Sequence, residues 1–316
     1  MIFYKAFGIS ILLLFVVSSA SGQQTYKKLN VTLQFDAKHN VDNKAYTEKI
    51  IQTLSRRLQG VSKKTQFYNG TKNNEVSIEL ITKSDPERIK SLLLHNGELK
   101  FYEAFYRRDL IKFVGELRKL LKKEKLIGKS PLFDLDDKMT IKNDERAVIL
   151  YISEKDTSTV NKYLSNQNLH SLLPINKEDV SFFWSKKEED PEDELFLYAV
   201  KLEKGGKPIL EGDIIEKAYY EPNIFGRFSV IVKFNDEGTE KWKELTEKAF
   251  VKHFKIAIVG NDMVYADPGI VSGAISTGVF EITTFSLYEA QDFTYILNSG
   301  SLPDLRLTNF EEEELK

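Results

Sequence analysis

The sequence contains no cysteine. That excludes disulfides, thiolate metal sites, a cysteine nucleophile and a lipidated N-terminal cysteine. Histidine is scarce. His39, His95, His170 and His253 are scattered, and no two stand at i+3 or i+4, the spacing that sets two ligands on one helix face, so no metal site is expected. No charge of one sign dominates: 45 Lys and Arg stand against 47 Asp and Glu, a net charge of −2. That balance lacks the clustered basic surplus that nucleic acid demands, and no nucleic-acid partner is expected. No Gly-rich phosphate loop follows a strand, and neither His-Glu-x-x-His nor Gly-x-Ser-x-Gly occurs. Acidic pairs such as Asp136-Asp137 and Glu188-Glu189 are adjacent rather than convergent. With no nucleophile, base and orienter brought together, no catalytic residue, enzyme activity or cofactor is expected.

Long apolar runs are missing as well, apart from one near the N-terminus. Lys5 precedes the apolar run Ala6–Val17, and Ser18, Ser19, Ala20, Ser21 and Gly22 follow it, the three-part pattern of a secretory signal. The run has 12 residues, short of the roughly 18–20 needed to span a bilayer. Residues 1–22 are therefore expected to be a signal peptide cleaved after Ala20 or Gly22. Retention as an anchor is the alternative. The expected product is an exported, periplasmic, soluble protein that meets a membrane only through partners.

The rest alternates between strand and helix patterns. Leu29, Val31, Leu33 and Phe35 have strand periodicity. From about Asp42, Tyr46, Ile50, Leu54 and Leu58 recur at helical spacing, with Gly60 as a stop. Val76, Ile78 and Leu80 alternate again. Ser84-Asp85-Pro86-Glu87 reads as a capping box before Ile89, Leu92 and Leu93. Asn96-Gly97 ends that helix, and Leu99, Phe101 and Phe105 begin a strand. In residues 107–194, Leu110, Phe113, Leu117, Leu120 and Leu121 form one helix face. Arg118, Lys119, Lys122, Lys123 and Lys125 lie on or beside the other, and are read as a solvated face. Val148–Ile152 reads as a strand, and Lys186–Glu194 as a charged linker. In residues 195–300, Phe196–Leu202 and Phe228–Phe234 alternate. A helix from about Asp236 buries Trp242, Leu245 and Ala249, and Asn261-Asp262 turns one strand into the next. Ser286 and Glu289 box a helix whose stripe is Leu287, Ala290, Phe293 and Leu297. Trp242, Leu245, Phe293 and Leu297 are expected in one core. Glu311–Glu314 is a like-charge run, expected to be a disordered tail over 311–316.

Residues 195–303 resemble a known family. Leu195–Lys201, Leu210–Ala218 with Glu211-Gly212-Asp213, Phe234–Thr246, Ile256–Val259, Val264–Pro268, Glu289-Ala290 and Asn298–Pro303 follow the order of the head subdomain in the first periplasmic domain of SecD and fused SecDF proteins. Upstream, Gly97–Glu103 resembles the strand closing that domain's base. Pro131–Phe133, Asp156-Thr157, Val160–Tyr163 and Phe183-Trp184 resemble the extra region of the fused SecDF proteins of Bacteroidetes. The resemblance implies an α+β fold: a ferredoxin-like base over 26–106, rejoined by 301–310, a partly helical insertion over 107–194, and an α+β head over 195–300. The family continues past its Leu-Pro segment into a bundle of membrane helices that this sequence, ending at Lys316, does not contain. Thr277-Gly278 stands where the family has a Gly-Gly pair, and Ile282–Phe285 is one residue shorter than the family's Ile-x-Gly-x-Phe.

The resemblance implies a non-enzymatic, polypeptide-binding module that assists or modulates Sec-dependent translocation. Its partners would be unfolded or emerging polypeptide and the Sec translocon or SecDF. An adaptor for one dedicated envelope protein is the alternative. The expected contact surface is the loop Asp267–Thr277, with Pro268, Gly269 and Gly273, continuing through Gly278 into the strand with Phe280, Ile282 and Phe285. Small residues permit close backbone approach, and the three apolar side chains cannot all point inward if alternation holds. The other reading is a merely flexible loop, with the extra apolar residues packed on the base. N-terminal sequencing of the exported protein is expected to begin after Ala20 or Gly22. A chain still starting at Met1 and extractable only with detergent would establish an anchored protein instead.

Overall fold

The computed structural model describes residues 25–36, 43–70, 72, 74–126, 147–185, 194–270, 272–284 and 286–315. The expected signal, the start of the first helix at Asp42, Pro131–Phe133, most of the charged linker and Phe285 lie outside them.

In β1 (Lys27–Phe35), Leu29, Val31, Leu33 and Phe35 are buried while the residues between them are half-buried. α1 (Asn43–Leu58) lays Ile50, Leu54 and Leu58 into the same core. β2 (Ser62–Asn69), β3 (Glu75–Thr82) and α2 (Pro86–Leu94) follow. The cap of α2 is Asp85, whose carboxylate accepts from Glu87 N–H at 2.8 Å, and not the expected Ser84, whose hydroxyl turns to the Val61 carbonyl. The sheet order is β13-β1-β3-β2, where β13 is Leu305–Glu314, and all neighbours are antiparallel. This is the ferredoxin-like order, with its fourth strand supplied by the far end of the chain.

Two expectations change here. The strand from Leu99 does not close this sheet. The acidic run Glu311–Glu314 is ordered strand, paired from Asn30↔Glu311 to Lys27↔Glu314. Its like charges are offset across the ladder, where Lys27 meets Glu312 at 2.6 Å. β2 had no reading in sequence because its residues, SKKTQFYN, form a largely exposed edge with little apolar alternation.

Between α2 and β13 the chain builds two further layers. β4 (Leu99–Ala104), β5 (Val148–Ser153), β6 (Val180–Ser185), β7 (Glu194–Lys201), β10 (Lys255–Gly260) and β11 (Met263–Ala266) form one sheet, ordered β4-β10-β11-β6-β7-β5. β4 also pairs with β7 through Ala104↔Val200, so the sheet closes on itself as a small barrel. Tyr102, Ala104, Tyr198, Val200, Ala257, Val259 and Val264 fill its interior. Alternate residues face outward. Leu197 and Ala199 meet α3 (Ile111–Lys123) and α4 (Thr157–Leu164), while Phe101, Ile256 and Ile258 meet the third layer. The β10–β11 turn has positive φ at both Asn261 and Asp262, as a two-residue type I′ hairpin requires.

The third layer is the sheet β12-β9-β8, with β8 at Ile215–Pro222, β9 at Phe228–Phe234 and β12 at Val279–Thr284. Numbering the one-turn helix Gln167–His170 as α5, the covering helices are α6 (Asp236–Lys252) and α7 (Leu287–Ser299). Trp242, Leu245, Phe293 and Leu297 share one core, as their spacing implies. The Trp242 ring lies 5.6 Å from each of Phe101, Phe234 and Phe280.

Arg57 joins the layers. Fully buried, its guanidinium donates to Ser299 Oγ at 2.8 Å, to the Leu92 carbonyl at 3.1 Å, to the Gly300 carbonyl at 3.0 Å and to the His95 carbonyl. These groups belong to the C-terminal ends of α2 and α7, where the helix dipole is negative. Gly97 has φ +82°, and a Cβ there would come within 2.5 Å of Arg57 Nη2. Burial lowers the guanidinium to about 9 from its usual 12.5, which leaves it charged at neutral pH. Arg57→Met is expected to cost about 3–5 kcal/mol in urea unfolding, because it strands several buried acceptors. A loss under about 1 kcal/mol would show that water replaces the guanidinium.

Candidate functional site

The loop after β11 is tied down more tightly than its small residues suggest. Lys255 Nζ meets Asp267 Oδ2 at 2.9 Å, Ile256 N–H donates to the Pro268 carbonyl at 3.1 Å, and Gly269 forms a bridge to Lys255. Asp267, Pro268 and Gly269 therefore prolong the pairing of β11 with β10. Farther on, Ile275 N–H donates to Thr246 Oγ1 of α6 at 2.8 Å, and Ile270 and Ile275 rest on the core. Gly269 faces open space, Gly273 has φ +90°, and Thr277 is exposed. Gly278 is buried with φ +62°; a Cβ there would overlap the Thr239 side chain, and its carbonyl accepts from Phe234 N–H at 2.9 Å.

The strand that follows corrects the expected contact surface. Phe280 is 8% exposed and Ile282 1%, and both lie in the aromatic core beneath α6 and α7. They have the same parity along a strand of period two, so they face the same way, and that way is inward. Glu281 and Thr283 take the exposed face. Side chains at 280 and 282 are therefore unavailable to a partner.

What remains accessible is the backbone edge. β12 ends its sheet, and among the described residues no strand pairs with its outer side. The Phe234–Gly278 bond makes that pair a hydrogen-bonded one. Register Phe280↔Val232 and Ile282↔Val230 then turns the polar backbone of 280 and 282 toward β9. By alternation, Val279, Glu281 and Thr283 turn their N–H and C=O groups outward. The opposite edge is capped at Ala218: Asn298 of α7 accepts from Ala218 N–H at 2.8 Å and donates to the Ala218 carbonyl at 2.7 Å.

Sequence reasoning missed this role of Asn298, which entered only at the start of the Asn298–Pro303 segment. It also missed Ile224 and Phe225, which stand 93% and 79% exposed in the β8–β9 turn. Two large apolar residues between Pro222-Asn223 and Gly226, where a turn favours polar ones, are the signal that could have found them. A cleft of about 540 Å³ separates Lys49, Gln52 and Arg56 of α1 from Asp213 and Glu216. No cluster of His, Asp and Glu that could hold a metal occurs among the described residues. Burial pushes the Tyr265 hydroxyl up, so it stays protonated as the partner of His95 Nε2 at 3.1 Å.

These features define a class: an α+β protein whose ferredoxin-like sheet is interrupted by a barrel and a helix-covered sheet with one open edge. Residues 186–304 match the family model of the SecDF P1 head subdomain. Through that stretch the chain is similar to the first periplasmic domain of SecD and SecDF proteins. It is 33% identical to protein translocase subunit SecD of Rhodothermus marinus over 153 residues, covering 48% of this chain and 24% of that protein. It is 23% identical to SecD of Calditerrivibrio nitroreducens over 341 aligned positions, covering 93% of this chain and 63% of that protein. The chain thus spans less than two thirds of each. A crystal structure of SecDF in a super-membrane-facing form superposes with a TM-score of 0.50 at 20% identity, over 90% of this chain and 30% of that one, which establishes likeness of fold. No described helix is long and apolar enough to cross a membrane.

Gly278 is expected to be the least replaceable residue of the loop. Gly278→Ala should cost on the order of 2–4 kcal/mol, from positive φ and from the overlap with Thr239. Gly269→Ala should change stability by less than about 0.5 kcal/mol. Equal losses in thermal or urea unfolding would mean that the turn at 278 relaxes freely.

Proposed function

We propose that this chain is a non-enzymatic module of protein translocation that holds extended polypeptide along the free edge of β12. The observation that carries the reading is that edge: Val279, Glu281 and Thr283 present outward backbone groups on a strand backed by a dense aromatic core. An added strand binds there through main-chain hydrogen bonds, which tolerate almost any sequence. The names of the relatives, protein translocase subunits SecD and SecDF, support a role in Sec-dependent export. The partners are then unfolded or emerging chains and the translocon or SecDF, and the compartment is the periplasm. In this reading the base comprises 26–94 with the return strand β13, and residues 195–300 are the head. The loop Asp267–Thr277 flanks the contact strand instead of forming it.

The test exploits a position where proline removes only an outward donor. Thr283 N–H faces the free edge, so Thr283→Pro leaves the β9 ladder whole. The variant is expected to keep its melting temperature within about 3 °C, and to bind a panel of unfolded peptides roughly tenfold more weakly than the parent. Parental binding by a stable Thr283→Pro protein would place the contact elsewhere. One tight partner from envelope extracts, with no broad peptide binding, would favour a dedicated adaptor.

A further inference from the structure

Main-chain bonds explain how the β12 edge can take a guest, and the outer face of its sheet bears on which guest it prefers. Register sets three rows across the strands: Val279↔Lys233↔Lys217, Glu281↔Ile231↔Tyr219 and Thr283↔Ser229↔Glu221. These residues alternate with Phe280, Ile282, Val230, Val232 and Ala218 of the core, so they share the face turned away from it. Glu281 is the one charged side chain of β12, and it stands in the middle row. Among the described residues no cation pairs with it. Lys233, diagonal to it in the ladder, turns instead to Glu216 at 2.7 Å, and Lys217 lies 6.0 Å from the Tyr219 ring. Arg227 stands beyond Ser229, before β9 begins. Glu221, in the neighbouring row, has no ion pair among the described residues either, and its charge has the same sign.

The Glu281 carboxylate is nevertheless held in place. Ser229 Oγ donates to its Oε1, and Asn223 Nδ2 donates to Ser229 Oγ at 3.2 Å. Ser229 is itself 2% exposed, so the tether is buried while Glu281 is exposed. The other oxygen, Oε2, has no partner among the described residues. A guest residue that exchanges hydrogen bonds with Glu281 puts its side chain on this same face, with Cβ atoms about 4.5–5.5 Å apart. Lysine or arginine there is long enough to reach the tethered carboxylate, whereas a carboxylate there meets like charge. The guest's next residues on that face lie beside Val279 and Thr283, which are uncharged. The chain's net charge of −2 supplies no general field that would favour cations as strongly.

We propose that Glu281 sets the substrate class of this edge: extended polypeptide with Lys or Arg at the residue paired with Glu281. The inference rests on strand addition at β12. The bias is graded and excludes no sequence, since cross-strand charge pairs contribute modestly. The test uses the full chain and capped, labelled Ser/Thr heptapeptides that differ only in a central Lys, Gln or Glu, with binding read by fluorescence anisotropy. The parent is expected to bind the Lys peptide roughly fivefold more tightly than the Glu peptide, with Gln between. That ratio should approach one at about 1 M salt, where charges are screened beyond roughly 3 Å. Glu281→Gln keeps an acceptor for Ser229 and should bring the ratio close to one at low salt. Glu281→Lys should invert it. Both variants should melt within about 3 °C of the parent. Equal binding of the Lys and Glu peptides by the parent overturns the proposal. So does a ratio that persists in both Glu281 variants, because another group then selects the charge. Thr283→Pro separates this inference from the reading beneath it. A stable Thr283→Pro protein that binds all the peptides as the parent does overturns strand addition, and this inference with it. Binding lost in Thr283→Pro, beside a ratio indifferent to residue 281, overturns this inference alone.

Discussion

The architecture turns on one buried cation. The chain leaves the ferredoxin-like unit after α2 and returns before β13, and both crossings run past Arg57. Its guanidinium holds the outgoing end through the Leu92 and His95 carbonyls and the returning end through Ser299 and Gly300, 243 residues away in the last case. Lysine could not do this, because a single ammonium cannot span acceptors on two helices in a fixed fork. No carboxylate is needed. Two helix C-termini converge on the site, and their partial negative charges offset the burial of a full positive one. Just beyond, Leu302 N–H donates to the Asn96 carbonyl at 2.6 Å, which delivers β13 to its place beside β1.

The same short segment decides which strand edge stays open. Asn298 stands one residue before the Ser299 that Arg57 grips, and its amide fills the outward backbone groups of Ala218. The three-stranded sheet is thereby capped at Ala218 on the β8 side, while among the described residues no strand covers the β12 side. Joining the layers and choosing the open edge are therefore one act of folding. A change at Arg57 that let the end of α7 drift would also loosen the cap on β8.

How legible this was depended on whether information lay within an element or between elements. The apolar alternation of β1 and β9 and the helical stripe through Trp242, Leu245 and Ala249 are local, and each marks its own buried face. Asn261-Asp262 announces its turn for the same reason. β2 and the Glu-rich half of β13 are edge strands with polar outer faces, so their own residues carry almost no signal. Glu311–Glu314 becomes strand only because Lys27 and its neighbours wait across the ladder. β4 has strand character, but which sheet it joins depends on β10, which lies some 150 residues later in the chain. At the candidate site, alternation already gave Phe280 and Ile282 one shared face, but not that this face is the inward one. The cap by Asn298 was not legible, since it requires knowing that α7 lies along β8.

An open edge usually invites aggregation, and natural sheets guard theirs with charge or with short strands. β12 is six residues long and carries Glu281 on its exposed face, so it fits that pattern. Those same features limit how strongly it can hold a guest. Val279, Glu281 and Thr283 offer three outward donors and three outward acceptors. At a net 0.5–1.5 kcal/mol per bond, even a fully paired guest gains about 3–9 kcal/mol, before the cost of ordering an extended chain is subtracted. What remains is weak binding that lets go readily. The proposed role, serving chains of every sequence in transit, would need that property. Tight binding would require side-chain pockets, and the face that could have supplied them is filled by Phe280, Ile282 and the aromatic core behind them. The interior that keeps the edge rigid would thus also keep the grip of the proposed site unselective.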